Sequence, residues 1–190
     1  MSSSEKLILA SASPRRLALL EQIGVPVSDV KPSDIDETPK PGELPRALAL
    51  RLAEEKLAAC SASDVFVLSA DTVVAVGRRL LPKTETRAEA AACLDLMSGR
   101  AHQVLTGLAV RAPDGRQVSR VVMTRVKMKR LSETEKTAYL DSEEWRGKAG
   151  GYGIQGRASV FVRHLSGSYS GVVGLPLHET YQLLTGLGWK

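Results

Sequence analysis

Cysteine, aromatic residues and long apolar runs are all scarce in this 190-residue sequence. Its two cysteines, Cys60 and Cys93, are too few for a disulfide framework and lack metal-site spacing, which favours a reducing, cytoplasmic setting. Aromatic residues make up 4% of the chain, which argues against a surface that stacks single-stranded bases. No apolar run approaches the ~20 residues of a membrane-spanning helix. The apolar segment 7–12 is too short for a secretory signal, so we expect neither a membrane anchor nor secretion.

Several widespread catalytic motifs are also missing or misplaced. The sequence has no Walker lysine motif. None of its three histidines, His102, His164 and His178, lies near a cysteine or carboxylate at metal-ligand spacing, so each is expected to be structural or solvated. The glycines of segment 151–156 match the dinucleotide-binding pattern, but that pattern must leave a strand and open a helix, and here a β-branched segment follows. Dinucleotide, P-loop, zinc-protease and serine-hydrolase functions are therefore weakly supported.

The composition is that of a folded domain with a mild excess of basic residues. Hydrophobic residues make up 43% and charged residues 25%, and a chain of this length is expected to form one domain, residues 1–190. Twenty-six Lys and Arg against 21 Asp and Glu give a formal net charge of +5. A basic surface attracts polyanions, either nucleic acid or nucleotide phosphates, although a mildly basic cytosolic domain accounts for the charge equally well.

Strand and helix patterns interleave along the chain. Strands are predicted over 6–10, 64–70, 104–110, 118–128 and 159–165, and residues 72–76 and 80–81 are predicted to form a hairpin that turns at 77–78. Helices are predicted after Ser13, from about Pro45, over 87–97, after a capping box at Ser132 and Glu135, and from about Leu177. Because hairpins occur among the alternating elements, the class is α/β with a mixed sheet.

The segment from Ser11 to Arg16 is the first candidate site. It lies between a predicted strand and a predicted helix and supplies two hydroxyls and two guanidinium groups, Arg15 and Arg16. Backbone donors, dipole and charge at a helix start all favour a phosphate. The alternative is that Ser13 merely caps the helix while both arginines are solvated.

Two carboxylates form the second candidate. Asp71 is expected to end an apolar strand, where ligands gather in α/β proteins and where a carboxylate can hold a metal or activate water. Glu37 lies on a proline-rich loop. A turn-forming aspartate and a solvated glutamate are the ordinary alternatives.

Two lysines complete the set. Lys56 continues an apolar stripe through Leu48 and Leu52, so its ammonium is expected either to meet an anionic partner inside the protein or to extend along the surface to solvent. Lys83 follows the predicted hairpin and could reach the same region as Asp71. Carboxylates with convergent Lys and Arg are typical of phosphoryl transfer, because cations neutralise the phosphate oxygens and a base orients water.

Five segments, in order, resemble the sequence blocks of the Maf family. They are Leu7–Arg16, Ala70–Val74, Gly99–Gly107, Lys148–Gly156 and Val172–Leu177. Together they extend over nearly the whole chain, and five ordered blocks are far more specific than any one of them.

The resemblance implies an elongated α/β fold, similar to that of inosine triphosphate pyrophosphatases, with a mixed sheet flanked by helices and a cleft between two lobes. It implies hydrolysis of a nucleoside triphosphate to its monophosphate and pyrophosphate, with a divalent cation, Mg²⁺ or Mn²⁺. By this resemblance Asp71 accepts a proton or binds the metal, and Glu37 lies beside the metal. The remaining matched residues, which contact the phosphates or order the site, are Ser11, Arg16, Lys56 and Lys83.

Three positions of the family blocks distinguish subclasses, and here they hold Arg15, Thr72 and Gln155. This combination resembles the dTTP/UTP pyrophosphatases, whereas the 7-methyl-GTP subclass typically carries Trp, Gln and Glu. An amide such as that of Gln155 offers both a donor and an acceptor to a pyrimidine edge. Thr84 departs from the pattern, since proline is frequent there, and this change could loosen the loop that presents Lys83.

The expected partner is the nucleoside triphosphate, with a homodimer left open and with neither a membrane nor nucleic acid expected. Two alternatives to dTTP, UTP or modified pyrimidine nucleotides as substrates stay open. One is a 7-methyl-GTP pyrophosphatase of the same family, and the other is a non-enzymatic nucleotide or nucleic-acid binder that regulates cell division, for which the net charge gives mild support.

Overall fold

The fold is an α/β arrangement of six helices and nine strands within the described residues. A computed structural model describes residues 5–190, so the first four residues of the domain predicted over 1–190 lie outside the described part. Strands β1 to β9 span Leu7–Leu9, Asp29–Val30, Phe66–Val76, Arg79–Leu81, Lys83–Thr84, Ala101–Arg111, Gln117–Met128, Lys148–Ala149 and Val162–Ser166. Helices α1 to α6 span Pro14–Gln22, Pro45–Ala59, Arg87–Met97, Glu133–Asp141, Tyr169–Val173 and Leu177–Gly186.

The central sheet is mixed, as predicted. Its strand order is β2-β1-β3-β6-β7-β9, with β4 also paired to β3, while β5 and β8 form a separate two-stranded ribbon. Strand β1 is parallel to β2 and β3, whereas the β3–β6, β6–β7 and β7–β9 pairs are antiparallel. The short β6–β7 connection turns at Gly115, whose φ of +87° suits glycine.

Local sequence signals account for most element ends. Proline at the first position of α1 and α2 has no N–H to leave unsatisfied, so each helix begins there at little cost. The capping box predicted at the start of α4 is present, with Ser132 and Glu135 each bonded to the other's backbone N–H. Ser13 precedes α1, but in the described part of the chain its side chain makes no capping hydrogen bond.

The structure differs from the predicted elements in three places. The strands predicted over 64–70 and 72–76 are one continuous strand, β3, so Asp71 lies inside it rather than at the end of a strand. The segment predicted as a strand over 159–165 begins with a 3₁₀ helix, Arg157–Phe161, and only Val162–Ser166 is extended. The short helix α5 was not predicted, because its glycine and serine content is typical of a loop.

The two faces of the sheet carry different layers. Side chains alternate along a strand, so odd-numbered residues of β3, β6 and β7 face one side and even-numbered residues face the other. On the odd side, Val73, Leu105 and Val121 pack against α2. The even side holds two separate apolar clusters, one with α1 and α6 and the other with α3 and α4.

The edge of β3 opens between these two clusters. Strand β1 pairs with β3 at Phe66–Leu68, and β4 pairs with the same edge from Val74 onward. Within residues 5–190 no strand pairs with that edge between Leu68 and Val74, while β6 covers the opposite edge throughout. Asp71 and Thr72 therefore lie in a gap between two lobes, which is where the sequence placed a cleft.

None of the helices in residues 5–190 has the length and apolar character needed to cross a membrane.

Candidate active site

A cleft of about 360 Å³ lies at the open edge of β3. The nine residues that the sequence singled out all line it, although they come from six different parts of the chain: Ser11, Arg15, Arg16, Glu37, Lys56, Asp71, Thr72, Lys83 and Gln155. The structure therefore brings every sequence-predicted site residue to one place.

Lys56 lies between the two candidate carboxylates. Its Nζ is 2.5 Å from Asp71 Oδ1 and 2.6 Å from Glu37 Oε1. Lys83 donates to the other oxygen of Glu37 from the exposed rim of the cleft. The acids and lysines thus alternate, with each carboxylate neutralised by an ammonium.

The apolar stripe on α2 explains why Lys56 is inside the protein. Leu48 and Leu52 are buried against the odd face of the sheet, and Lys56 follows one turn later at 7% exposure. On that same face β3 presents Asp71, which is 3% exposed. The surface alternative for Lys56 was wrong, because a buried ammonium here finds its anionic partner.

The loop that carries Glu37 is fastened to α2 by Arg51. The guanidinium of Arg51 forms two hydrogen bonds to the Glu43 carboxylate, at 2.7 and 2.8 Å, and a third to the Thr38 carbonyl at 3.1 Å. These contacts fix the residue next to Glu37. Burial raises the pKa of Glu37, but hydrogen bonds from Lys56 and Lys83 outweigh it and hold this pKa below its ordinary value.

Arg16 is committed to protein partners. Its Nε donates to the Gly174 carbonyl at 2.8 Å, Nη1 donates to Ser11 Oγ at 2.8 Å, and Nη2 donates to Thr72 Oγ1 at 3.4 Å. The side chain is buried, which lowers the pKa of Arg16 although the Asp71 charge opposes this effect. The alternative in which both arginines are solvated was wrong for Arg16, while Arg15 is half-buried at the cleft.

Thr72 joins the same network on the even face of β3. Its hydroxyl lies 3.1 Å from that of Thr106 on β6, which donates to the Gly171 carbonyl in α5 at 2.9 Å. Hydroxyls and backbone carbonyls therefore connect the N-terminal loop, the sheet and α5 across the bottom of the cleft.

The other end of the cleft is largely apolar. Its lining residues lie on the even side of the sheet. They include Val74 and Val104 of the strands, Val172 and Val173 of α5, and Tyr152 of the glycine-rich loop. Gly150 allows the glycine-rich loop to lie this close, since a Cβ there would be 3.0 Å from the Val74 side chain and its φ is +70°. Gln155, on the exposed part of that loop, supplies an amide beside this wall.

The donor set suits a hard divalent cation that is shared with a substrate. Among residues 5–190 no three His, Cys, Asp or Glu side chains converge as a metal cage. Asp71 and Glu37 nevertheless flank one ammonium, and Mg²⁺ is typically held by one or two carboxylates together with substrate phosphates rather than by an all-protein cage. The two residues predicted as ligands therefore fit such an ion.

Thr84 does not loosen the segment that presents Lys83. Its buried hydroxyl donates to the Trp145 carbonyl at 2.8 Å, and β5 pairs with β8 through Lys83↔Ala149 and Thr84↔Lys148. The expectation of a looser loop was wrong, because a side-chain hydrogen bond and strand pairing hold this position.

A family model and known protein sequences match most of this chain. A family model described as Maf-like protein matches residues 6–187. The chain belongs to the Maf family. Maricaulis maris has a 64% identical relative over 185 residues, 97% of this chain and 89% of the relative. Hyphomonas neptunium has a 62% identical relative over 190 residues, covering both chains completely. Both relatives are named dTTP/UTP pyrophosphatase.

A solved HAM1 protein from Coxiella burnetii has the same fold as this Maf protein. It aligns with a TM-score of 0.51 at 15% identity, over 96% of this chain and 99% of that one. The predicted fold class is confirmed.

Sequence reasoning missed several side chains that shape the cleft. Arg51 belongs to no sequence motif, because it affects the site only indirectly, through Glu43 and the loop beside Glu37. Lys148 and Tyr152 line the cleft and lie in a family block, but only Gln155 of that block was singled out. The position of this lysine and this tyrosine among glycines could have indicated their role. Glycines that let the backbone approach a ligand also direct the side chains between them toward that ligand.

Proposed function

We propose that this Maf protein hydrolyses dTTP and UTP to the nucleoside monophosphate and pyrophosphate in the cleft at the open edge of β3. The observation that carries this proposal is the buried Lys56, held between Asp71 and Glu37 in a cleft that offers hydroxyl, guanidinium and ammonium groups. Relatives at 64% and 62% identity that are named dTTP/UTP pyrophosphatase support the same reaction and the same substrates.

The charged end of the cleft binds the triphosphate. Arg15 and Lys83, which are the more exposed cations, contact phosphate oxygens directly, as does Ser11 at the start of α1. Arg16 orders the site instead, because each of its three guanidinium nitrogens donates to a protein partner, Gly174, Ser11 or Thr72. A triphosphate that draws Lys83 away from Glu37 leaves that carboxylate available for a cation.

Asp71 is the general base of the proposal. Lys56 donates a hydrogen bond to Oδ1, and no described residue donates one to Oδ2. That oxygen can accept the proton of a water attacking the α-phosphorus. Asp71 and Glu37 are the residues that would hold a Mg²⁺ or Mn²⁺ ion, which would neutralise charge on the phosphates. Lys56 and Lys83 offset the charge that develops on the departing pyrophosphate.

The apolar end of the cleft receives the nucleobase. Val74, Val104 and Tyr152 form a wall for a planar ring, and Gln155 presents an amide to its edge. Arg15 and Thr72 complete the set that favours a pyrimidine. We propose that the reaction occurs in the cytoplasm and that the triphosphate is the protein's binding partner.

A panel of triphosphates tests the function. Purified protein with Mg²⁺ or Mn²⁺ should release pyrophosphate from dTTP and UTP faster than from 7-methyl-GTP. Preference for 7-methyl-GTP would overturn the pyrimidine assignment. Salt-dependent DNA binding without pyrophosphate release from any triphosphate would favour the non-enzymatic alternative.

A further inference from the structure

His102 and Tyr152 form a buried polar pair behind the apolar wall of the cleft. The Nε2 atom of His102 lies 2.7 Å from the Tyr152 hydroxyl, and the two rings meet edge to face with centroids 5.3 Å apart. His102 is 1% exposed and Tyr152 is 6% exposed. Among the described residues, Nδ1 of His102 has no hydrogen-bond partner, so Tyr152 is the one polar group that the imidazole engages.

Tyr152 connects this pair to the cleft. It lines the apolar end together with Val74 and Val104, three residues before Gln155. The glycines on both sides are tightly packed: a Cβ on Gly151 would be 3.2 Å from Ala90 Cα, and one on Gly153 would be 3.0 Å from Lys148 Cε. Ala90 and Lys148 therefore confine the backbone on both sides of Tyr152, and the hydrogen bond to His102 orients the Tyr152 ring within that loop.

The pair is neutral under ordinary conditions. Burial lowers the pKa of His102 to about 4 and raises the pKa of Tyr152. Either tautomer of His102 leaves one donor without a partner among the described residues, the Tyr152 O–H when Nε2 donates or the Nδ1–H when Nε2 accepts, so the hydrogen bond joins two neutral groups in both cases. A hydrogen bond between two neutral groups can fix the arrangement of the two rings, but it places no charge near the phosphates.

We propose that His102 is a positioning residue for nucleobase binding, acting through the Tyr152 ring and the loop that carries Gln155. This inference rests on the proposed function, because it assigns the apolar end of the cleft to the base. The cleft then has two parts with different roles. The cluster of acids and lysines on the odd face acts on the phosphates, and the His102–Tyr152 pair on the even face contributes to recognition of the base.

The test compares Tyr152→Phe, His102→Leu, His102→Gln and the double variant Tyr152→Phe/His102→Leu with the unaltered protein. The KM and kcat for dTTP are measured, together with inhibition by inorganic tripolyphosphate, which carries phosphates and no base. Leu94→Ala is the control for loss of packing, since Leu94 is buried in the same cluster but does not line the cleft.

Loss of one hydrogen bond should raise the KM for dTTP about fivefold in Tyr152→Phe and in His102→Leu. We expect kcat to change by less than about twofold and tripolyphosphate inhibition to stay constant, because the phosphate end is intact. The double variant should be no worse than either single variant, as for two partners of one interaction. His102→Gln, whose amide can donate near the Nε2 position, should recover most of the affinity.

Three results would overturn the inference: effects that multiply in the double variant, tripolyphosphate inhibition that weakens in parallel, or an equal rise in KM for Leu94→Ala. A wild-type protein that binds dTTP without hydrolysing it would refute the proposed function instead. In that case the dissociation constant of dTTP, measured by calorimetry on the same variants, replaces KM and tests the positioning role independently.

Discussion

Lys56 and Asp71 form an ion pair of 2.5 Å inside the protein, with 9% and 5% of their side chains exposed. A buried charge that loses its partner must either protonate or pay its full desolvation cost, and breaking such pairs is strongly destabilising. Glu37 shares the same ammonium, so Lys56 neutralises two carboxylates at once.

Replacing Lys56 by Met should therefore lower the free energy of unfolding by about 3–5 kcal/mol, because Asp71 is left buried and uncompensated. Lys83→Met is the matched control, since Lys83 pairs with the same Glu37 but is 50% exposed. It should cost less than about 1 kcal/mol. Urea denaturation at pH 7 measures both, and equal losses would contradict the internal role of Lys56.

Asp71→Asn should reduce kcat by roughly 10²–10⁴-fold, the contribution expected of a general base, with the fold retained. The amide oxygen can still accept a hydrogen bond from Lys56. Asp95→Asn serves as control, since Asp95 pairs with Lys136 away from the cleft. Pyrophosphate release from dTTP gives the rate and circular dichroism gives the fold. Full turnover by Asp71→Asn would refute its assignment as the base.

Gly107→Ala should be severely destabilising, because a Cβ at this position of β6 would lie 2.0 Å from the Ala49 carbonyl oxygen of α2. The helix would have to move away from the sheet, at a cost of about 3 kcal/mol or more, and Lys56 would move with it. Gly186→Ala, at the end of α6 with nothing within 4 Å of the new Cβ, should leave Tm within a few degrees. A normal Tm for Gly107→Ala would contradict the close α2–β6 contact.

Arg51→Ala should free the loop that carries Glu37. The two charge-assisted bonds to Glu43 and the bond to the Thr38 carbonyl are lost, so amide exchange over residues 36–40 should accelerate and kcat/KM should fall about tenfold. The hydrogen bond from Arg51 holds the pKa of Glu43 at about 2, so the wild-type clamp should persist down to mildly acidic pH. Arg87→Ala, which removes an exposed pair with Asp141, should change neither readout.

His102 should make the stability of the protein depend on pH in the acid range. The pKa of His102 is about 4 in the folded protein against an ordinary value of 6.5, because the side chain is buried, so between these pH values the unfolded chain binds more protons. Stability therefore falls as the pH drops through this window, by about 2–3 kcal/mol at pH 4.5. His102→Gln should remove that part of the loss. Urea denaturation of both proteins at pH 7 and pH 4.5 measures the difference, and identical pH dependence would show that His102 is not protonated on unfolding.

The local elements and the candidate residues were largely predictable. Helices α1 to α4 and α6 begin close to their predicted starts. Prolines indicated the starts of α1 and α2 and a capping box indicated that of α4, because those signals act within one turn of a helix. The stripe of Leu48 and Leu52 left two outcomes open for Lys56, and the packing of α2 on the sheet decided for burial. The continuity of β3 was not predicted, since Asp71 interrupts the apolar pattern between 64–70 and 72–76 although the strand continues through pairing with β6.

The sequence by itself determined the approximate positions of most helices and strands, the candidate side chains of the site, and the family whose sequence blocks the chain carries. The tertiary structure alone decided which of those side chains meet. Arg16 reaches the carbonyl of Gly174, which is 158 residues away, and Lys83 reaches Glu37 across 46 residues. Such contacts depend on strand register and on how helices cross the sheet. Those are set by packing over the whole domain, and no stretch of neighbouring residues encodes them.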